Sequence, residues 1–180
     1  MSLNKFKPSF FLVSKLMLFF LLFHSTTKAE SLFYTVMKGD DAIGKIHIER
    51  TLKNDLTEYF FESNVKLTFI FSIEVYDRMK VVFRGNQMLQ AQLYRTLNGR
   101  VRVNNLATWN GKTYVMTNKD HESTYIQHLI SMTTANLYYN EPANTNAVFS
   151  ENFQRMVPVK NVGNKKYMLN LPNGNKTYSS

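Results

Sequence analysis

The stretch Thr57 to Arg84, TEYFFESNVKLTFIFSIEVYDRMKVVFR, constrains the fold more than any other part of the chain. Its odd positions carry Tyr59, Phe61, Ser63, Val65, Leu67, Phe69, Phe71, Ile73, Val75, Asp77, Met79, Val81 and Phe83, nearly all apolar. The even positions carry mostly polar residues, among them Glu62, Asn64, Lys66, Glu74, Arg78 and Lys80. Such period-2 alternation is the mark of half-buried β-structure. Strands rarely exceed about 10 residues, so the stretch must bend or fold back. No Gly or Pro announces where. Leu67 to Ser72 (LTFIFS) is the least strand-like piece, which predicts strands over 57–66 and 73–84 joined by an apolar connection. One continuous, bent strand is the alternative.

The flanking chain repeats the pattern. Leu32 to Met37 and Ala42 to Leu52 read as strands about the turn Lys38-Gly39-Asp40-Asp41. Gly44 lies inside the second, where it signals a bulge or a close backbone approach. Further strands are predicted over 87–97, 100–109 and 112–117. Asn98-Gly99 and Asn110-Gly111 separate them, both strong two-residue hairpin signals. Turns at this regular spacing argue for a mainly β fold, an antiparallel meander forming an open or half barrel or a sandwich. Ile126, Leu129, Ile130, Thr133, Leu137 and Tyr138 then fall at roughly helical spacing ahead of Glu141-Pro142, predicting one short α-helix near 126–139. Residues 148–160 are mixed. A strand follows near Lys166 to Leu171, and after Pro172-Asn173-Gly174 another begins at Lys176.

The first 29 residues stand apart. Lys5 and Lys7 precede an apolar run with an unbroken core from Leu16 to Phe23, and Thr27-Lys28-Ala29 offers small residues for cleavage before Glu30. The run is far shorter than the roughly 20 residues that span a bilayer, so it reads as a signal peptide. The expected organisation is a signal segment, 1–29, and a single antiparallel β domain, 30–180. The expected destination is the periplasm or cell envelope, with no stable transmembrane segment after cleavage. Four of the 22 basic residues and none of the 13 acidic ones lie in the signal segment, so the headline net charge of +9 falls to +5 in the remainder. Interleaved signs on polar strand faces indicate solvated surface, and no nucleic-acid partner is expected. The chain has no cysteine, which excludes Cys nucleophiles, Cys-rich zinc sites and disulfides; stability must come from the core.

The segments LFYTVMKGDDAIGKIHIER, FIFSIEVYDRMKVVFRGNQML, LYYNEP and YMLNLPNGNKTY resemble a family of exported bacterial proteins, a domain of unknown function, over roughly residues 31–178. The resemblance implies a periplasmic all-β fold and assigns no chemistry, since its motifs are turn glycines and core hydrophobes. It also implies at least one further hairpin after the PNG turn. The expectation is therefore a chain truncated at its C-terminal end.

Few residues suggest catalysis. His47, His121 and His128 have no metal-ligand spacing, and neither metal nor cofactor is expected. Glu62, Glu74, Asp77, His47 and Glu122 would have to converge for glycan hydrolysis, which needs two carboxylates at a set separation. Asp77 breaks the apolar parity; a carboxylate there needs a partner, with Arg78, Arg95 or a turn backbone as candidates. The candidate ligand- or partner-binding residues are Leu67, Phe69, Ile70, Phe71 and Asp77, an apolar connection with a misplaced acid nearby. The functional expectation is an exported envelope domain that binds an apolar small molecule or an envelope protein without catalysis. A hydrolase acting on cell-wall glycan and a purely structural, truncated domain are the alternatives.

Overall fold

The computed structural model describes residues 27–68 and 71–179. Among these described residues twelve strands form two antiparallel sheets. The large sheet is an eight-stranded meander in strict sequence order: β1 (Thr27–Lys38), β2 (Asp41–Lys53), β3 (Leu56–Thr68), β4 (Ser72–Arg84), β5 (Gln87–Leu97), β6 (Arg100–Trp109), β7 (Tyr114–Thr117) and β8 (Ser123–Ile126). The smaller sheet has β9 (Ala147–Ser150), β10 (Arg155–Gly163), β11 (Lys166–Asn170) and β12 (Lys176–Ser179), in the order β12-β11-β10-β9. The architecture is mainly β, and the sheets do not close into a barrel.

The long alternation is a hairpin. β3 and β4 pair without a register break from Leu56↔Arg84 to Thr68↔Ser72. Their odd residues face the second layer: Tyr59, Met79, Val81 and Phe83 are buried, and Ile48 of β2 joins them. Asn98 and Gly99 both have positive φ, 49° and 74°, as a type I′ turn demands. Asn110-Gly111 behaves differently. Asn110 Oδ1 accepts from the amides of Lys112 and Thr113, which widens the connection and delays β7 to Tyr114.

The α-helix expected near 126–139 is absent. The segment instead forms β8, an extended crossing and one 3₁₀ helix, Thr134–Tyr138. Ile126 ends a strand, Leu129 is exposed, and Ile130 is buried beside Tyr114, whose hydroxyl accepts from the Ile130 amide and donates to Met88 O. An extended chain docking at these points satisfies its apolar residues without helical hydrogen bonds. The segment read from the sequence as a signal peptide, 1–29, lies outside the described residues up to position 26. Thr27 to Ala29 begin β1 opposite Lys53, Leu52 and Thr51. No described helix is long and apolar enough to cross a membrane.

Gly44 is a close approach beside a bulge. Pairing steps from Val36↔Gly44 to Met37↔Ala42, leaving Ile43 as the extra residue on β2. A Cβ at Gly44 would lie 2.5 Å from Asn64 O and 2.8 Å from Val65 Cγ2. Its φ is not in the left-handed region, so the constraint is contact with β3 rather than backbone conformation. Gly44→Ala should therefore destabilise the domain by about 1–3 kcal/mol, read from the urea midpoint. An unchanged midpoint would refute the close packing of β2 on β3.

Candidate functional site

The inner face of the large sheet is a stack of cross-strand rows. One row runs Leu32–Ile48–Phe61–Met79–Leu93–Asn105, and the next runs Tyr34–Ile46–Ser63–Asp77–Arg95–Val103. Beyond it, toward the β3–β4 tip, come Val36–Gly44–Val65–Val75–Leu97, and then Leu67 opposite Ile73. Alternation places all of these side chains on the same face.

The second layer covers this face only in part. Asn105 donates to Glu151 O and Asn152 O at 2.9 and 3.0 Å. Gln154 Nε2 reaches Leu106 O and Thr117 O, at 3.2 and 2.9 Å. Tyr138 stacks on Phe61 with ring centroids 5.8 Å apart. Arg50 lies over the Tyr139 ring at 4.8 Å, and the Tyr139 hydroxyl donates to Glu30 O. The cover ends at the Asp77 row, where Arg95 Nη1 donates to Asn152 Oδ1 at 3.2 Å. Neither hydrophobic cluster extends to Val36, Val65, Leu67, Ile73, Val75 or Leu97. These residues stay half-buried, and Phe71 at the rim is 69% exposed.

Asp77 marks the boundary. Arg95, directly opposite on β5, holds it with two bonds, Nε to Oδ1 at 2.6 Å and Nη2 to Oδ2 at 3.0 Å. This is the fork geometry that guanidinium and carboxylate prefer. Asp77 thus has one of the partners read for it from the sequence, and Arg95 passes the contact on to the second layer. Of the other candidate residues, Leu67 lies on the same face two rows further out, and Phe71 sits at the tip. Phe69 and Ile70 lie outside the described residues.

The acids proposed for hydrolysis do not share a cleft with Asp77. Glu62 is on the opposite face, opposite His47 and accepting from the Tyr76 hydroxyl at 2.6 Å. That bond to the Glu62 carboxylate raises the Tyr76 pKa. Glu74 is exposed, and Glu122 lies in the exposed turn before β8. His47 stacks on Phe33 at 4.5 Å and meets Phe60 edge-on at 5.9 Å. Among the described residues no three His, Asp or Glu side chains gather at metal-binding range. Two clefts, of about 340 and 270 Å³, have mixed linings rich in polar side chains, such as Asn105, Asn118 and Lys119 in the first, and Asn136 and Asn140 in the second. Neither contains a candidate residue read from the sequence.

Sequence reading missed Asn105, Glu151 and Asn152, and took Tyr138 only as part of the expected helix. Asn105 carried a signal, because it breaks the apolar parity of β6 between Val103 and Ala107 just as Asp77 breaks that of β4. Glu151 and Asn152 carried none.

Among the described residues, fold and site together define a two-sheet antiparallel β domain with a partly bare inner face. The chain belongs to the family described as Domain of unknown function (DUF6134), whose pattern it matches over residues 34–180. No curated protein and no solved structure matches it.

Proposed function

We propose that this protein is an exported cell-envelope domain that binds an apolar ligand, without catalysis, on the bare half of its inner sheet face. The observation that carries the reading is the apolar strip Val36–Val65–Val75–Leu97 with Leu67 and Ile73, which lies outside both hydrophobic clusters. Half-buried apolar side chains in a contiguous row gain about 25 cal/mol per Å² when a ligand removes them from water. The Asp77–Arg95 pair at the edge of the strip gives an apolar ligand with one polar end a place to orient. Export rests on the basic, apolar and small-residue pattern of residues 1–29. The exposed Phe71 beside the strip favours an envelope protein as a second occupant, since a large exposed aromatic is a common interface anchor.

The test is titration of delipidated protein with a fluorescent fatty-acid analogue. Saturable binding is expected, weakened at least about tenfold by Val75→Asp, which places a charge in the strip. Protein that neither binds the analogue nor retains an envelope protein on affinity capture overturns the reading.

A further inference from the structure

Among the described residues four strands lie at sheet edges, and they are unequal. β8, β9 and β12 have four residues each, whereas β1 has 12. Native sheets blunt their edges with short strands, proline, inserted residues or charged side chains. β1 carries charges only toward its two ends, Lys28, Glu30 and Lys38; it contains no proline, and the bulge in the β1–β2 ladder falls on β2. It also displays large apolar groups, with Phe33 74% and Tyr34 50% exposed.

We propose that β1 pairs antiparallel with β1 of a second copy, about a two-fold axis at Tyr34, joining the two large sheets into one. The inference goes beyond ligand binding and does not depend on it. Its ground is self-complementarity. Side chains in an antiparallel pair must agree in face, which limits the two-fold axis to one residue or another of β1. Centring on Phe33 sets Glu30 against Val36. Centring on Leu32 sets Glu30 against Tyr34, and centring on Thr35 sets Leu32 against Lys38. Centring on Tyr34 sets Tyr34 against itself, Leu32 against Val36, and Glu30 against Lys38, the last two twice by symmetry. That arrangement matches apolar with apolar and acid with base along the inner face. Glu30 already receives Arg50 on Oε2 and Lys28 on Oε1, and a carboxylate has acceptor sites for a further cation. Cleavage after Ala29 would remove Lys28 and keep the whole paired segment, Glu30 to Lys38.

The chain lacks cysteine, so an introduced thiol reports one contact cleanly. Residues directly opposite in an antiparallel pair hold their Cβ atoms about 4.5–5.5 Å apart, close enough for a disulfide with small adjustment. Under mild oxidation Tyr34→Cys should give a covalent dimer, while Tyr125→Cys, more exposed on the opposite edge, should not. Sedimentation of the cysteine-free chain should show a reversible dimer. Lys38→Glu should weaken it roughly tenfold, because two attractive pairs become repulsive. A monomer at 100-micromolar order of concentration, a dimer indifferent to Lys38→Glu, or crosslinking of Tyr34→Cys no greater than that of Tyr125→Cys overturns the proposal.

Discussion

Phe149→Ala should cost about 3–5 kcal/mol, a large part of the roughly 5–15 kcal/mol that holds a domain of this size folded. Phe149 has no exposed surface and belongs to the main core. It does so from β9, a strand of only four residues buried on both faces. Val148, next to it, points into the smaller cluster with Val157 and Leu169. The Phe149 amide also donates to Met132 O at 2.9 Å, beside the parallel bridge to Thr133. The ring is therefore the main apolar link between the β9 strand and the large sheet. Urea unfolding followed by tyrosine and tryptophan fluorescence measures the loss. Leu129→Ala, at an exposed position, should stay within about 0.5 kcal/mol. A Phe149→Ala loss below about 1 kcal/mol would show that the two layers do not pack as described.

The second large effect concerns Glu151, whose carboxyl is buried beneath the 3₁₀ helix. It accepts from the Thr134 hydroxyl and from the Ala135 amide, the latter at 3.3 Å. Burial raises its pKa above the ordinary 4.5, more than the bonds from Thr134 and Thr133 lower it. The folded state thus holds this proton more tightly than the unfolded chain. The resulting stabilisation is fully present below the ordinary value and is lost as pH rises through the raised one. Glu151→Gln keeps an acceptor for both donors and has no proton to lose. The Tm of Glu151→Gln minus that of the wild type should increase as pH climbs from the ordinary value through the raised one, then level off. Taking the difference cancels the other carboxylates. A difference independent of pH would show that Glu151 titrates as in water. Glu151→Ala should be destabilised at every pH, because it strands a buried amide and hydroxyl, at about 1–3 kcal/mol each.

Much of the large sheet was legible because its information is local. Alternation located β3 and β4, Asn98-Gly99 specified its own turn, and Gly44 marked the tight approach to β3. Asp77 was legible as a core-side acid in need of a partner. The 126–139 segment was misread because helical spacing records only which residues are apolar. Ile126 and Ile130 pack on the main core and Leu137 on the smaller cluster, none of them from an α-helix, and such residues satisfy a 3.6 period by position alone. The polar docking of the second layer was illegible for a different reason. Asn105 bonds carbonyls 46 and 47 residues away, and those acceptors are backbone atoms that any residue supplies.

The strict meander order of β1 to β8 sets the order of events in a growing chain. Each strand finds its partner in the segment just made, so backbone pairing advances through short loop closures. Covering the inner face cannot keep pace. Arg95 waits 57 residues for Asn152, and the core around Val81 and Met116 waits for Phe149. A nascent chain that has completed β7 therefore carries a paired sheet with a bare apolar face. During that interval, rather than in the finished fold, the protein is most exposed to aggregation and most in need of a chaperone.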